Sequence, residues 1–270
     1  MRKWFPALAC VVAACSGSDP TKGTADTSAT TTAGSDTATG DTTTVDPGEP
    51  SVAGVLVDPA GQPLGLTDVL CCTAATCFTA ETDTDGAFAF PLAPGDEIAV
   101  KTHPDLYVQP RWTSALVPGV VGDGQLEVGE VYVPDLPAGV ALEDGLQTLE
   151  PGDGLELTLT KADLTPELGT FLYDVAARRL PEERIPPYPG LGEAVVGVWA
   201  LHPFATESAS PVAVAVPVDL PDGAEVHVRA VSHLDGTLSA PAVAHVADGV
   251  ARTDAGQGVT LLTHLVVSTP

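Results

Sequence analysis

The feature that most constrains this chain is its punctuation. From about residue 138 the runs "GLELTLT", "EAVVGVWAL", "PVAVAVPV", "AEVHVRAVS", "PAVAHVA", "VARTD" and "VTLLTHLVV" follow one another. Turns such as Pro221-Asp222-Gly223, Asp235-Gly236 and Asp248-Gly249 separate them. Gly supplies the positive φ that tight hairpins need, and Asp tolerates it, so these dipeptides reverse the chain at little cost. Short apolar runs at this spacing read as strands of a sandwich. In "EVHVRAVS", Val226, Val228 and Ala230 fall on one face while His227 and Arg229 fall on the other, the pattern of a strand with one wet side. Composition agrees: 27 Gly and 25 Pro against 5% aromatic residues disfavour long helices. The expected fold class is all-β, with two tandem β-sandwich-like domains, residues 51–135 and 138–270, after a disordered N-terminal linker.

The first of these domains begins with "SVAGVLVDPAGQPLGLTDVLCC", in which Val52, Gly54 and Leu56 share one side of a strand before the turn Asp58-Pro59-Ala60-Gly61. "FTAETDTDGAFAF" then places two strands around Asp85-Gly86, and "LEVGEVYVP", Leu126 to Pro134, supplies a closing strand. Gly54, Val55, Asp58, Gly61, Pro63-Leu64, Thr82-Asp83, Gly86, Phe88, Phe90 and Pro94-Gly95 together resemble the carboxypeptidase regulatory-like family. That resemblance covers about Val52 to Lys101 and implies a transthyretin-type β-sandwich with an accessory role and no catalytic residues of its own. Asp83-Thr84-Asp85-Gly86 also opens like a calcium loop, but Pro94 stands where the twelfth-position acid belongs, so a turn is expected.

Ahead of the strands lies a different kind of sequence. Arg2 and Lys3 precede the apolar "WFPALACVVAA", which has the length of a signal-peptide core and is too short to span a bilayer. Val12-Ala13-Ala14-Cys15 resembles a bacterial lipobox, with Cys10 as a poorer alternative. The resemblance implies removal of residues 1–14 and lipidation of Cys15. Each buried acyl CH2 contributes about 0.8 kcal/mol, and two or more chains hold a protein stably at a membrane. Residues 15–50 then carry eleven Thr between Thr21 and Thr44, six acids, one Lys and a single bulky apolar residue, Val45. Such a tract buries too little apolar surface to offset the entropy of ordering it, so a disordered Thr-rich tether is expected, spanning roughly 30–35 Å as a flexible coil.

Three cysteines remain beyond the anchor: Cys71, Cys72 and Cys77. In the oxidising compartment that export implies, Cys72 and Cys77 can clip a hairpin across "TAAT", with Cys71–Cys77 as the rival pairing. Adjacent strand residues point to opposite faces, so only one of Cys71 and Cys72 is well aimed. No nearby His completes a zinc set.

The formal net charge is −25, from 11 Lys and Arg against 36 Asp and Glu. Phosphate contacts need clustered cations, so no nucleic-acid partner is expected, and electrostatic docking on anionic lipid is disfavoured. "RRLPEERIPPYPG", Arg178 to Gly190, holds four prolines and reads as an extended surface connector. No G-x-S-x-G elbow, H-E-x-x-H pair or Gly-rich phosphate loop is present in the sequence. His202, His227, His233, His245 and His264 fall on different strands or their ends, and no metal site or catalytic residue is assigned to them; no cofactor is expected. The expected molecule is a non-catalytic lipoprotein of the bacterial cell envelope, held at the outer membrane through Cys15, with a structural, adhesive or binding role toward an envelope protein or glycan. A hydrolase accessory or a carbohydrate- or cation-binding module is the alternative. The sequence leaves the oligomeric state open.

Overall fold

The structure, a computed structural model, describes residues 51–102, 111–167 and 171–270. The leader, Cys15 and the Thr-rich tether lie outside the described residues. Among the described residues the regular structure is strand, with two single-turn 3-10 helices at Lys161–Asp163 and Glu182–Arg184. The protein is all-β.

Seven strands build the N-terminal sandwich: β1 Ser51–Val57, β2 Asp68–Cys72, β3 Cys77–Glu81, β4 Ala87–Pro91, β5 Glu97–Thr102, β6 Leu116–Val120 and β7 Leu126–Tyr132. They form a three-stranded sheet ordered β4-β1-β7 over a four-stranded sheet ordered β3-β2-β5-β6. β1 runs antiparallel to β4 and parallel to β7. Val52 and Leu56 of β1, Phe88 and Phe90 of β4, and Ile98 and Val100 of β5 interdigitate between the sheets. The Asp85-Gly86 hairpin forms as expected: Gly86 sits at φ +76°, and the Asp83 carboxylate accepts hydrogen bonds from the Asp85 and Ala87 amides at 2.9 and 2.8 Å. Those bonds stabilise a turn. Gly54 sits where the β1–β7 register shifts, and an added Cβ there would lie 2.7–2.9 Å from Val128, Phe88 and the Gly129 carbonyl. Neighbouring strands β4 and β7 therefore crowd β1 at this point, where there is no room for a side chain.

The C-terminal region contributes β8 Val140–Ala141, β9 Leu146–Gly152, β10 Leu155–Thr160, β11 Leu164–Thr165, β12 Asp174–Arg179, β13 Ala194–His202, β14 Thr206–Pro217, β15 Glu225–Ala230, β16 Ala242–Ala247, β17 Val250–Thr253, β18 Val259–Leu262 and β19 His264–Thr269. Ten of these run β8-β12-β13-β19-β15-β16-β17-β14-β10-β9, while β11 and β18 pair with the first half of β14. The sheet rolls until its two ends nearly meet. Asp153, in the β9–β10 turn, accepts the Arg179 amide of β12 at 2.7 Å, and its carbonyl accepts the Trp199 indole at 3.3 Å. Gly152 makes the approach feasible, since a Cβ there would stand 2.3 Å from the Ala177 carbonyl oxygen. Inside the roll, Leu155, Leu157 and Leu159 alternate with outward Glu156 and Thr158, and pack with Val226, Val228 and fully buried Trp199. Burying each such side chain contributes about 1.5–3 kcal/mol.

Two sequence readings are corrected here. "VTLLTHLVV" is two strands broken at buried Thr263, whose hydroxyl donates to the Val231 carbonyl at 2.7 Å. β18 can then pair with β14 while β19 turns to pair with β13 and β15. The proline-rich segment is not merely a surface connector: Arg178 and Arg179 end β12, and Leu180 and Tyr188 are buried.

Residues expected as two domains meet through a third apolar cluster. On β5, Ile98 and Val100 face their own sandwich core, while Ala99 faces the other half; on β6, Leu116 does the same. On β13, Trp199 and Leu201 point into the roll while Val198 and Ala200 point out of it, and Val266 of β19 joins them. Leu180, Tyr188, Phe204 and Val231 complete the cluster, and all described residues fall in one compact unit.

Candidate functional site at the joint between the two β regions

Strand parity decides what reaches this joint. Lys101 follows Ala99 by two residues on β5, so its side chain leaves the first sandwich on the same face and is only 2% exposed. Its Nζ lies 3.0 Å from His233 Nδ1, in the loop after β15, and 3.9 Å from Glu167 Oε1, which is also 3.9 Å from His233 Nδ1. Burial lowers the Lys101 pKa from the ordinary lysine value, and the Glu167 charge partly opposes that fall. Phe204 meets the His233 ring edge-on at 6.1 Å.

A second set lies close in sequence to the first. Arg111 donates two hydrogen bonds to Asp174 of β12, at 2.6 and 3.0 Å, and His202 Nε2 stands 3.7 Å from the same carboxylate. Burial, and then the Arg111 charge, push His202 down to about 4, with Asp174 pulling the other way. Thr113 donates to the Leu201 carbonyl at 3.0 Å, and His264 Nε2 donates to the Ser114 carbonyl at 3.1 Å. His264 is fully enclosed, its Nδ1 has no hydrogen-bond partner among the described residues, and burial lowers it to about 4 despite the carbonyl bond. Arg178 bonds Asp135 at 2.9 Å, and Arg184 pairs with Glu130 while lying over the Tyr132 ring. Of the 11 Lys and Arg in the sequence, four, namely Lys101, Arg111, Arg178 and Arg184, thus tie one β region to the other. Two acidic bodies repel, and scarce cations placed between them offset that repulsion.

Two cavities open along the joint. One, of about 290 Å3, is lined by Glu97, Pro118, Leu191, Arg229, Asp235 and Thr237. Arg229 is fully engaged there: it forks onto Glu193 at 2.6 and 2.9 Å, and Ser268 and His227 bond the same carboxylate. Arg229 foremost holds the Glu193 carboxyl down at about 2. The other cavity, of about 260 Å3, lies under the proline-rich segment between Tyr132, Leu180 and Ile185.

The five histidines considered together in the sequence do not converge. His202, His233 and His264 lie at different points of the joint, His227 binds Glu193 and Glu225, and half-exposed His245 binds Asp254 at 2.9 Å. Among the described residues no group of three or more His, Cys, Asp or Glu side chains is arranged to hold a metal ion. Cys72 and Cys77, directly opposed on β2 and β3, form a disulfide. Cys71 faces the sandwich core as a buried free thiol, which burial pushes up to about 12 and so keeps protonated. The proposed anchor Cys15 lies outside the described residues. Sequence reasoning missed Lys101, Arg111 and Asp174. The available signal was a lysine in "DEIAVKT" on the same parity as an alanine, opposite the Ile-Val face.

No protein-family model matches the chain, and a search of curated proteins finds no match. Among solved structures, the chain is similar to fervidolysin from Fervidobacterium pennivorans, a keratinolytic enzyme related to subtilisin, at 16% identity. The likeness covers 83% of this chain and 34% of that one, with a TM-score of 0.21, and carries no argument about fold or activity. The chain spans about a third of that protein's length.

Proposed function

We propose that this protein is a lipid-anchored envelope protein whose β regions form one non-catalytic display body. The observation that carries the reading is the joint. A third apolar cluster, backed by cross-region hydrogen bonds and four cations, fixes the two halves against each other. A fused body carried on the Thr-rich stretch read from the sequence as a tether suits a surface held out from a membrane, because such a tether would supply reach and the body a constant outline. The lipobox-like Val12-Ala13-Ala14-Cys15 supplies the address, and the outer membrane of a bacterial envelope is the proposed one. The three-on-four strand arrangement of the N-terminal sandwich is compatible with the carboxypeptidase regulatory-like resemblance and its accessory role. Changing Cys15 to Ala tests the address: the variant should leave the membrane fraction and appear soluble, and retention there defeats the proposal.

The cleft of about 290 Å3 favours a second reading, a carbohydrate-binding module. Its size suits one sugar ring, and it combines the polar groups of Asp235 and Thr237 with the apolar walls of Pro118 and Leu191. Glycan-array binding that is lost on Asp235→Ala supports it; a blank array leaves the display body.

A further inference from the structure

Lys101 has an unusual environment. A lysine is almost never fully buried without a close charged partner, because stripping an ammonium of water costs several kcal/mol. Here the side chain is 2% exposed, its hydrogen-bond partner is an imidazole nitrogen, and the carboxylate stands back at 3.9 Å. The three groups form a triangle, with His233 Nδ1 3.0 Å from the amine and 3.9 Å from the carboxylate, one small side-chain rotation from bonding it. An amine, a carboxyl and a proton carrier are all that amide formation needs.

We propose that Lys101 and Glu167 become joined by an intramolecular isopeptide bond across the joint, with His233 carrying the protons. Lys101 gives one proton to His233 Nδ1, which hands it to Glu167 Oε1. The freed Nζ lone pair attacks Glu167 Cδ, a C–N bond forms, and the carbonyl π pair moves to the other oxygen. A second proton leaves Nζ by the same imidazole and reaches Oε1; the C–Oε1 bond breaks and the oxygen departs as water. An ammonium and a carboxylate yield one amide and one water, and no oxidant, reductant or cofactor is consumed. Amide formation from separate molecules is unfavourable in water, but well-oriented intramolecular groups reach effective molarities of roughly 10⁵–10⁸ M. The product also relieves the buried charge that makes the present arrangement costly.

The full-length protein is purified, reduced, unfolded and digested with trypsin, and its peptides are analysed by mass spectrometry. The expected result is a branched peptide joining the Lys101 and Glu167 segments, lighter than their sum by one water. Lys101→Arg keeps length and charge but lacks a nucleophile, so the branch should vanish while near-ultraviolet circular dichroism shows the fold retained. Glu167→Ala should also abolish it. His233→Gln should slow its appearance after refolding at least tenfold. Linear peptides alone from folded wild-type protein overturn the proposal, as does a branch that survives either Lys101→Arg or Glu167→Ala.

Discussion

Acidification should loosen this protein well before its carboxylates titrate. His202 and His264 are both held at about 4 in the folded state, against 6.5 for an unperturbed imidazole. The unfolded chain therefore binds more protons than the folded one between those values, so stability is highest above about pH 6.5 and falls as pH drops toward 4. At about pH 5 each histidine is largely protonated when unfolded and largely neutral when folded, which costs about 2 kcal/mol apiece. Together they remove roughly 4 kcal/mol, a large share of the 5–15 kcal/mol that folded domains have. Glu193, held at about 2, keeps its contribution throughout that window and loses it only as pH falls from ordinary carboxylate values toward 2. Urea unfolding at about pH 7.5, 6 and 5 measures the effect. His264→Gln, whose amide can still donate to the Ser114 carbonyl, should remove about half of the slope and His202→Gln much of the remainder. A flat profile down to about pH 5, or a loss that survives both substitutions, refutes the assignment of buried neutral imidazoles to the joint.

Trp199→Ala should destabilise by about 3–5 kcal/mol in denaturant unfolding, because it empties the largest fully buried side chain of the roll. Gly54→Ala should cost about 1–3 kcal/mol through the close approaches of Val128, Phe88 and the Gly129 carbonyl, read as a lowered Tm. Replacing both Cys72 and Cys77 by Ser should cost roughly 2 kcal/mol, the small value set by the short loop they close, with unfolding midpoints as the readout. Arg111→Ala strips the Asp174 carboxylate of both hydrogen bonds and should lower stability by about 1.5–3 kcal/mol; it should also raise the His202 pKa in an NMR titration, because the guanidinium charge that holds it down is gone while Asp174 remains.

The strand content was legible because turn chemistry is local. Asp85-Gly86 and Pro221-Asp222-Gly223 announce themselves within a few residues, and β10 and β15 alternate cleanly because only one of their faces is covered. The joint was harder to read for a related reason. β13 and β19 are apolar on both faces, so "VVGVWAL" and "HLVV" have no alternation to betray which residue faces which partner. Unbroken runs of that kind are themselves the sign of cover on two sides, and they could have suggested that a second body packs there. β12 was hidden by its charged end, since Arg178 and Arg179 read as part of the proline-rich stretch that follows. No local pattern pairs Lys101 with His233, 132 positions later in the chain.

The two-faced strands have a practical corollary for anyone dissecting the gene. Stopping translation near Asp135 would leave Ala99, Leu116 and an ammonium without shelter, and starting near Val140 would bare Val198, Ala200 and Val266. Neither fragment should behave as a portable module, and each should clump when made alone. Co-expressed, they should find one another, as the halves of a split reporter do.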